Sequence, residues 1–381
     1  MKKALRHLPT IVFLLFIYVM AILFFVLPKS KYSSSEKRYL AEFPKLTTDS
    51  FFSGDFGTDF EKYLSDHTAG RNLWVGMSSY YNYTLGNPLS NGIYHCKDGY
   101  LINDPPQTDR YELNIDIIAE FKELNPDINV TAVLAPSTGY VVDDVLPNKH
   151  INYTDDELFA YAQDTFDEYG VNFVDIRKTL KDAYKNGTQV YYRTDHHWTA
   201  KGAYLAYCNL SSSLGYTPNK EGDYTVTTHP DFYGTTYSSS GFWFTKPDDI
   251  EIWRSNKHKD FTVQITEGNN TTESDSMFYP ERLKDDDKYP VYLDGNHAYT
   301  TITNNALKNS GVEKKLLVIK DSFAHTLVPF LAGHYSEIVM VDLRYYKEPV
   351  SQLLKQTSFD NVLFMYSIDN ISTDVDLAFL E

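Results

Sequence analysis

One serine and one short Asp-His-His run are the residues of this chain best suited to chemistry. Ser322 lies in KLLVIKDSFAH, where an apolar strand runs into a turn and then a helix. A serine at such a turn exposes its hydroxyl, and its backbone N–H lies at a helix N-terminus, where it can bind an oxyanion. The pattern therefore predicts a nucleophile, and an ordinary helix N-cap is the alternative.

The Asp-His-His run supplies the groups that such a serine needs. In YYRTDHHWTAKGAY, Asp195, His196, His197 and Trp198 precede a predicted helix. A serine hydroxyl is a weak nucleophile until a histidine accepts its proton, and a carboxylate must hold that histidine in the right tautomer. Metal ligation by the run and helix capping by Asp195 are alternatives. Together with Ser322, the run predicts a Ser-His-Asp triad.

Four further polar residues follow predicted strands, where parallel α/β sheets gather their functional groups. Ser137 and Thr138 follow the strand 128–135 and offer hydroxyls and backbone N–H groups. Arg344 is a candidate for holding an anionic or acyl-bearing group, with a structural ion pair as the alternative. Asn370 is a candidate oxyanion donor, with a turn-forming role as the alternative.

The elements that must position these residues alternate between short apolar strands and helices. We predict strands over 128–135, 171–176, 315–319, 337–341 and 361–366, and helices over 111–124, 155–169 and 199–214 and from about 323 and 349. This alternation indicates an α/β fold with a mainly parallel sheet covered on both faces, which is a three-layer sandwich. Residues 216–312 do not follow this alternation of strands and helices, and we predict an inserted, partly β lobe there.

An uncharged run over residues 9–27 is nearly the ~20 residues that a helix needs to cross a bilayer. Lys2, Lys3 and Arg6 precede it and favour a cytoplasmic N-terminus. Because no small-residue cleavage pattern follows, we expect a retained single-pass anchor instead of a signal peptide, with the catalytic domain extracytoplasmic. The predicted organisation is an anchor over 1–28, a juxtamembrane linker over 29–47, a catalytic domain formed by 48–215 and 313–381, and the inserted lobe over 216–312.

Charge and cysteine content narrow the function further. The formal net charge of −16 argues against nucleic-acid binding, which needs clustered Lys and Arg. Cys96 and Cys208 are compatible with one disulfide outside the cell or with two free thiols. No clustered Cys/His pattern of a structural zinc site is present, and we expect neither a metal nor a cofactor.

The segment TDHHWTAKGAY resembles the signature of the DHHW proteins, relatives of the alginate O-acetyltransferases with SGNH-hydrolase-like domains. SSEKRYLAEFP, FEKYLSDHTAGR, CKDGYLI and KDSFAHTLVPFL are similar to family landmarks in the same order. The resemblance covers most of residues 33–370 and leaves the inserted lobe unmatched. It implies an SGNH-hydrolase-like (flavodoxin-like) fold.

The same resemblance implies roles for individual residues. Asp195 and His197 correspond to the acid and base and Ser322 to the nucleophile. His196 is then a support for the triad or a substrate contact, and Trp198 is a further candidate for substrate binding. An exchange of roles between the two histidines stays open. The order is permuted, since Asp and His precede Ser, and Lys320 stands where the G-D-S motif has glycine.

The function that these observations imply is O-acetyl transfer onto hydroxyls of a cell-surface or secreted polysaccharide. Because acetyl-CoA is cytoplasmic, the resemblance implies a multispanning membrane acyltransferase as donor partner. A polysaccharide acyl esterase would use the same residues. The third hypothesis is a noncatalytic carbohydrate-binding or assembly protein. The 31 tyrosines are compatible with it, because their rings can pack against sugars.

Overall fold

An apolar helix, α1 (Lys2–Val26), begins the N-terminal part of the chain. The computed structural model describes the backbone of residues 2–380 and the side chains of residues 7–380. Within this helix, residues His7–Val26 are long and apolar enough to span a membrane, a test that signal sequences also pass. Lys2, Lys3 and Arg6, on which the predicted orientation rests, lie outside the residues with described side chains, so the orientation stays a prediction.

The remaining helices and strands alternate much as predicted. The helices are α2 (Thr48–Ser53), α3 (Asp55–His67), α4 (Arg71–Thr84), α5 (Tyr111–Leu124), α6 (Thr138–Val141), α7 (Asp155–Tyr169), α8 (Arg177–Lys185), α9 (Ala200–Leu214), α10 (Thr235–Ser240), α11 (Asn305–Asn309), α12 (Ala324–Leu331), α13 (Val350–Gln356) and α14 (Ile368–Ile371). The strands are β1 (Tyr32–Ser33), β2 (Arg38–Tyr39), β3 (Leu89–Ser90), β4 (Ile93–His95), β5 (Leu101–Asn103), β6 (Asn129–Ala135), β7 (Asn172–Val174), β8 (Tyr224–Phe232), β9 (Asp248–Ser255), β10 (Phe261–Glu267), β11 (Asn270–Ser274), β12 (Tyr299–Asn304), β13 (Lys315–Lys320), β14 (Glu337–Val341) and β15 (Asn361–Ser367).

A mixed eight-stranded sheet organises the protein, in the order β11-β10-β12-β14-β13-β15-β6-β7. The five strands from β14 to β7 are parallel, and β12, β10 and β11 extend them antiparallel. Successive side chains of a strand point to opposite faces. Leu316 and Val318 therefore pack with α9 and α12 on one face, and Leu317 and Ile319 with α5 and α7 on the other. The predicted α/β sandwich with its parallel core is confirmed.

The segment 216–312 is partly β, and it divides between two places. Strands β8 and β9 pair only with each other and form a separate antiparallel ribbon, whereas β10, β11 and β12 join the central sheet. The alternating burial of β12 is typical of a strand with one face packed on a core. The predicted boundary at 312/313 therefore runs between strands of one sheet, and the division of the chain into domains stays a proposal.

The hairpin β4–β5 braces the loop that carries the Asp-His-His run. Its turn has positive φ at Asp98 (55°) and Gly99 (79°), which the Asp-Gly pair accommodates at low cost. Leu101 N–H then donates to Arg193 O at 2.7 Å. Cys96, at the start of this turn, and Cys208 on α9 are both free thiols.

Candidate active site

The turn after β13 presents Ser322 at the carboxyl edge of the sheet. Asp321 holds the turn, because its carboxylate accepts hydrogen bonds from Phe323 N (2.9 Å) and from the backbone and hydroxyl of Ser367 (both 2.7 Å). The Ser322 hydroxyl makes no capping bond to α12. The N-cap alternative is therefore wrong for Ser322, whose half-buried side chain remains available for other contacts.

The Asp-His-His loop is held from behind by the buried carboxylate of Asp248. This carboxylate accepts from Arg193 N (2.9 Å), Thr194 N (2.8 Å) and Thr194 Oγ1 (2.7 Å). Because three donors converge on one oxygen, the loop backbone is fixed just before Asp195. The side chains of Asp195 and His197 are thus projected from a rigid support.

Trp198 ties this loop to the helix that follows Ser322. Its indole Nε1–H donates to Thr326 Oγ1 (2.6 Å) and Phe323 O (3.1 Å), and the residue is fully buried. The expectation that Trp198 contacts substrate is wrong for this arrangement, since the indole has no exposed surface. Its position in the motif is explained by packing, because it locks the two candidate loops together.

Ser322, His197 and Asp195 form one hydrogen-bonded relay. His197 Nδ1 lies 2.6 Å from Asp195 Oδ1, and His197 Nε2 lies 2.7 Å from Ser322 Oγ. A carboxylate only accepts hydrogen bonds, so Nδ1 carries the proton and Nε2 accepts from the serine. Asp195 and His197 are buried, whereas Ser322 is partly accessible. The histidine between acid and serine is His197 and not His196.

Asp195 is held in its ionised form. Burial opposes ionisation, but the charges of His197 and His196 and the hydrogen bonds outweigh it and hold the pKa of Asp195 well below its ordinary value. Thr235 donates to Asp195 Oδ2 through its backbone N–H (2.7 Å) and its hydroxyl (3.1 Å). A Cβ at Gly234 would lie 2.1 Å from Asp195 Cβ, so only glycine permits this approach. The carboxylate can therefore orient His197 and stabilise its imidazolium.

His196 lies beside the relay and is half-buried. Its ring centroid is 3.9 Å from that of His197, and its Nδ1 lies 2.6 Å from Thr235 Oγ1. Burial and the neighbouring His197 lower the pKa of His196 to about 4, so the ring is neutral at pH 7. Asp369, on the short helix α14 that follows β15, has its pKa raised to about 6 by burial, against the influence of His196.

The alternative hypothesis, in which the Asp-His-His run binds a metal, requires the same side-chain atoms as the relay. Asp195, His196 and His197 offer ligand atoms within 4.8 Å of one another. Both ring nitrogens of His197 are already engaged, one by Asp195 and one by Ser322. A metal bound to His197 would have to displace one of these partners, so the donor set fits a triad better than a metal site.

Ser137, Thr138 and Asn370 lie at neighbouring strand ends, as expected. Ser137 N–H donates to Asp155 Oδ1 (2.7 Å), and its buried hydroxyl has no partner among the described residues. Thr138 Oγ1 is 3.5 Å from His196 O, a marginal contact. Asn370 N–H donates to Ser367 Oγ (3.2 Å), while its side-chain oxygen is buried and unpaired within the described part of the chain. The Ser137 hydroxyl and the Asn370 side-chain oxygen are thus buried and, for the residues that the structure describes, unpaired beside the relay, and a role for either in binding stays a prediction.

Arg344 is committed to an ion pair. Its Nε and one terminal nitrogen lie 2.8 and 2.7 Å from the two carboxylate oxygens of Asp342. Asp342 also accepts from Lys320 Nζ (2.8 Å), which in turn lies 2.8 Å from His325 Nε2. The structure therefore contains the ion pair that was the alternative to a ligand-binding role for Arg344. Lys320, in the place of the glycine of G-D-S, is explained by this buried charge network beneath the serine turn.

Two residues at the site carried no sequence signal, and both belong to the segment 216–312. Thr235 contacts Asp195, and Tyr289 stacks face to face on the His197 ring, with centroids 3.8 Å apart and an interplanar angle of 10°. The Tyr289 hydroxyl also donates to Ser322 O at 3.3 Å. Neither residue lies in a motif, and their approach depends on how the segment folds back over the sheet.

Asp155, which holds the loop of Ser137, gives a prediction for stability. Burial raises the pKa of Asp155 to about 6 from the ordinary 3.8, although Ser137 N–H opposes the shift. Between these values the unfolded chain ionises while the folded chain stays protonated, so stability is lost as the pH rises from about 4 to 6 and changes no further above that. A pKa difference of this size between the folded and unfolded chain corresponds to about 3 kcal/mol.

In Asp155→Asn, the carboxamide oxygen still accepts from Ser137 N–H but cannot ionise. We expect its free energy of unfolding, relative to wild type, to rise by about 3 kcal/mol between pH 4 and 7. Denaturant titrations over this pH range measure the difference, with the exposed Asp164→Asn in the same helix as control. A difference that stays constant with pH would contradict the assignment.

Comparison with known proteins agrees with this fold. Residues 103–231 match the family model described as SGNH hydrolase-like domain, acetyltransferase AlgX. The matched part contains Asp195 and His197 but not Ser322. No curated protein matches the chain.

Solved structures extend the likeness of fold over most of the chain. A DHHW family protein from Eubacterium siraeum has a TM-score of 0.62 at 21% identity, covering 76% of this chain and 95% of that one. PatB1 from Bacillus cereus, in a structure with a sulfonyl adduct, has a TM-score of 0.62 at 23% identity, covering 76% and 98%. The resemblance seen in the sequence is confirmed, and the fold is SGNH-hydrolase-like.

Proposed function

We propose that this chain, which has an SGNH-hydrolase-like fold and matches an acetyltransferase domain model over residues 103–231, transfers acetyl groups onto hydroxyls of a polysaccharide. The observation that carries the proposal is the relay in which His197 lies 2.6 Å from Asp195 and 2.7 Å from Ser322. This geometry is the one that a general base needs to activate a serine. The match to an acetyltransferase domain supports acyl transfer over other uses of such a relay.

In the first half of the reaction, His197 Nε2 takes the proton of Ser322 as its Oγ attacks the carbonyl of the acyl donor. The tetrahedral intermediate collapses to an acyl-serine when His197 returns the proton to the leaving group. Ser322 N–H has no acceptor among the described residues and is free to bind the oxyanion. The side-chain NH2 of Asn370, on the short helix α14 that follows the neighbouring strand β15, is a second candidate donor for this role.

In the second half, a sugar hydroxyl replaces the leaving group. His197 removes its proton as the oxygen attacks the acyl-serine, and the proton returns to Ser322 when the ester bond to the enzyme breaks. The ionised Asp195 stabilises the imidazolium in both halves. The neutral His196 would contact the incoming sugar without competing electrostatically with the base, a role that its partial exposure beside His197 supports.

The acyl donor and location belong to the same proposal. The apolar helix His7–Val26 would anchor the protein in the membrane with its catalytic domain extracytoplasmic. A multispanning membrane acyltransferase would then deliver acetyl groups from the cytoplasm. This partner and this orientation are motivated by the anchor and by the family resemblance.

Water competes with sugar for the same acyl-serine, because Ser322 is partly accessible. The purified chain, incubated with an acetyl ester and an oligosaccharide, distinguishes the two outcomes by mass spectrometry of the sugar. We expect acetylated oligosaccharide. Rapid ester cleavage with no acetylated sugar would instead identify an esterase, and loss of activity with chelator would favour the metal alternative.

Tyr289 gives a prediction that separates ring stacking from hydrogen bonding. An aromatic face attracts a cation lying over it, so the ring should favour the imidazolium form of His197. We expect Tyr289→Leu to lower kcat about tenfold, since the imidazolium that forms during the reaction loses support. Tyr289→Phe keeps the face, loses only the hydroxyl contact with Ser322 O, and should remain close to wild type. Steady-state kinetics measure both variants, and equal kcat values for Tyr289→Leu and Tyr289→Phe would contradict this role.

A further inference from the structure

A cavity of about 360 Å³ lies where the β8–β9 ribbon meets the central sheet and α12. We call it the Arg254 cavity. Its floor consists of four largely buried apolar residues, Trp253, Phe261, Met277 and Phe278. Its volume lies within the range of about 300–1,000 Å³ that is typical of small-ligand sites.

The wall of this cavity is cationic, although the chain has a formal net charge of −16. Arg254 and Lys259 line it, and Asp275 is the acidic residue among its lining residues. His258 also lines the cavity, but burial and Lys257 lower the pKa of its imidazole, which therefore adds no positive charge at pH 7. Within the described residues, neither Arg254 nor Lys259 has a carboxylate within ion-pair distance, which is 4 Å. An excess of positive charge is therefore concentrated at one small concave place.

Arg254, like Arg110 and Arg193, has no carboxylate partner among the described residues. Arg177, Arg282 and Arg344 each bind at least one carboxylate. The Arg254 guanidinium instead lies 5.2 Å over the ring of Phe278, and its nitrogens have no hydrogen-bond acceptor in the described part of the structure. A guanidinium offers five N–H donors in a planar fork that matches a carboxylate or phosphate group. Stacking on Phe278 orients this fork while its donors stay unused.

We propose that the Arg254 cavity binds a sugar bearing a negatively charged group on the acceptor polysaccharide. Arg254 binds the anionic group, and Lys259 adds charge at the rim. The floor of Trp253, Phe261 and Phe278 packs against the apolar face of the sugar ring, a contact that suits aromatic side chains. The assignment of an acceptor polymer rests on the proposed function, whereas the anionic chemistry rests on the cavity itself.

The cavity lies at the opposite edge of the sheet from Ser322. Phe261 pairs with Asn304, and Thr303 pairs with Glu337, the first residue of the parallel strand β14. Ser322 follows the carboxyl end of β13, the neighbouring parallel strand. A ligand in the Arg254 cavity therefore does not react. It holds a distant unit of the polymer, which lowers the entropic cost of bringing a second unit to the serine.

The test is a binding measurement on the full chain carrying Ser322→Ala, so that no turnover consumes the probe. Calorimetry compares an oligosaccharide containing glucuronate with the same oligosaccharide after reduction of its carboxylates to alcohols. A phosphate-bearing oligosaccharide of equal length forms the third arm and distinguishes the two anionic sources. We expect an anionic probe to bind at least about tenfold more tightly than the neutral one, and to weaken as salt is added.

Arg254→Met should weaken binding of the anionic probe at least about tenfold, because it removes the donors but keeps an unbranched apolar side chain. Arg254→Lys keeps the charge without the planar fork, so its affinity for the anionic probe should lie between those of the parent chain and Arg254→Met. Lys308→Met, at an exposed position on α11, removes one charge elsewhere and should bind like the parent. Thermal melting of each variant establishes that it is folded.

Equal binding of neutral and anionic probes would overturn the proposal, as would unchanged binding by a folded Arg254→Met chain. Failure of the proposed function has a different readout, since it appears as absence of ester cleavage and acyl-enzyme in the chain with Ser322 intact. The binding result does not depend on that assay.

Discussion

Ser322→Ala is expected to lower the rate of acetyl transfer by about 10⁴-fold or more and to remove the covalent intermediate. The variant loses the Oγ that lies 2.7 Å from His197 Nε2, so no acyl-serine can form. The remaining oxyanion donors and binding groups give only residual catalysis. Acetyl-ester turnover and intact-protein mass spectrometry measure the rate and the adduct.

The control for this variant is Ser212→Ala, at an exposed position of α9. It removes a hydroxyl near the C-terminal end of α9, which is the end of the helix opposite to the Asp-His-His loop, and we expect no change in rate. If Ser322→Ala leaves polysaccharide acetylation in cells unchanged while the protein remains folded, the enzymatic interpretation fails. A noncatalytic carbohydrate-binding or assembly role would then be favoured.

Asp195→Asn is expected to lower kcat by about 10⁴-fold with little change in the structure. The carboxamide is the same size and can keep an acceptor for Thr235 N–H, which lies 2.7 Å from the native carboxylate. It lacks the negative charge that holds Nδ1–H of His197 towards it and stabilises the imidazolium. The side chain is buried, so water cannot replace that charge. Steady-state kinetics on a small acetyl ester measure the effect.

Two comparisons make this second prediction specific. Asp127→Asn removes an exposed carboxylate that makes no contact with the relay and should behave like wild type. The double variant Asp195→Asn with Ser322→Ala should be no slower than Ser322→Ala alone, because residues that act as one unit are not additive. If the rate losses of the two single variants multiply in the double variant, Asp195 acts outside the relay, through folding or through His196.

The segment 216–312 contributes more to the site than its lack of motifs indicates. It provides Thr235 against Asp195 and Tyr289 against His197, and its strand β12 lies beside β14 in the central sheet. These contacts join the segment to both loops of the relay. Deleting it as a separate module would therefore remove support from the carboxylate and the imidazole together.

The sequence by itself determined the parts of this protein that depend on local spacing. The bounds predicted for α5, α7 and β14 coincide with those observed, because hydrophobic periodicity reports directly which residues of one element face a core. Asp195 and His197 were also recognisable, since two residues of one short loop are near each other in any fold. The turn of Ser322 followed from a strand that runs into a helix.

The tertiary structure decided everything that depends on which distant segments meet. It selected His197 over His196, turned Trp198 inward against α12, committed Arg344 to Asp342 and brought Thr235 and Tyr289 to the relay. Ser322 and His197 are 125 positions apart in the chain, and no local pattern encodes the distance between them. Such contacts arise from the packing of the whole sheet and its helices, in which the direction of each side chain is set by neighbours that are remote in sequence.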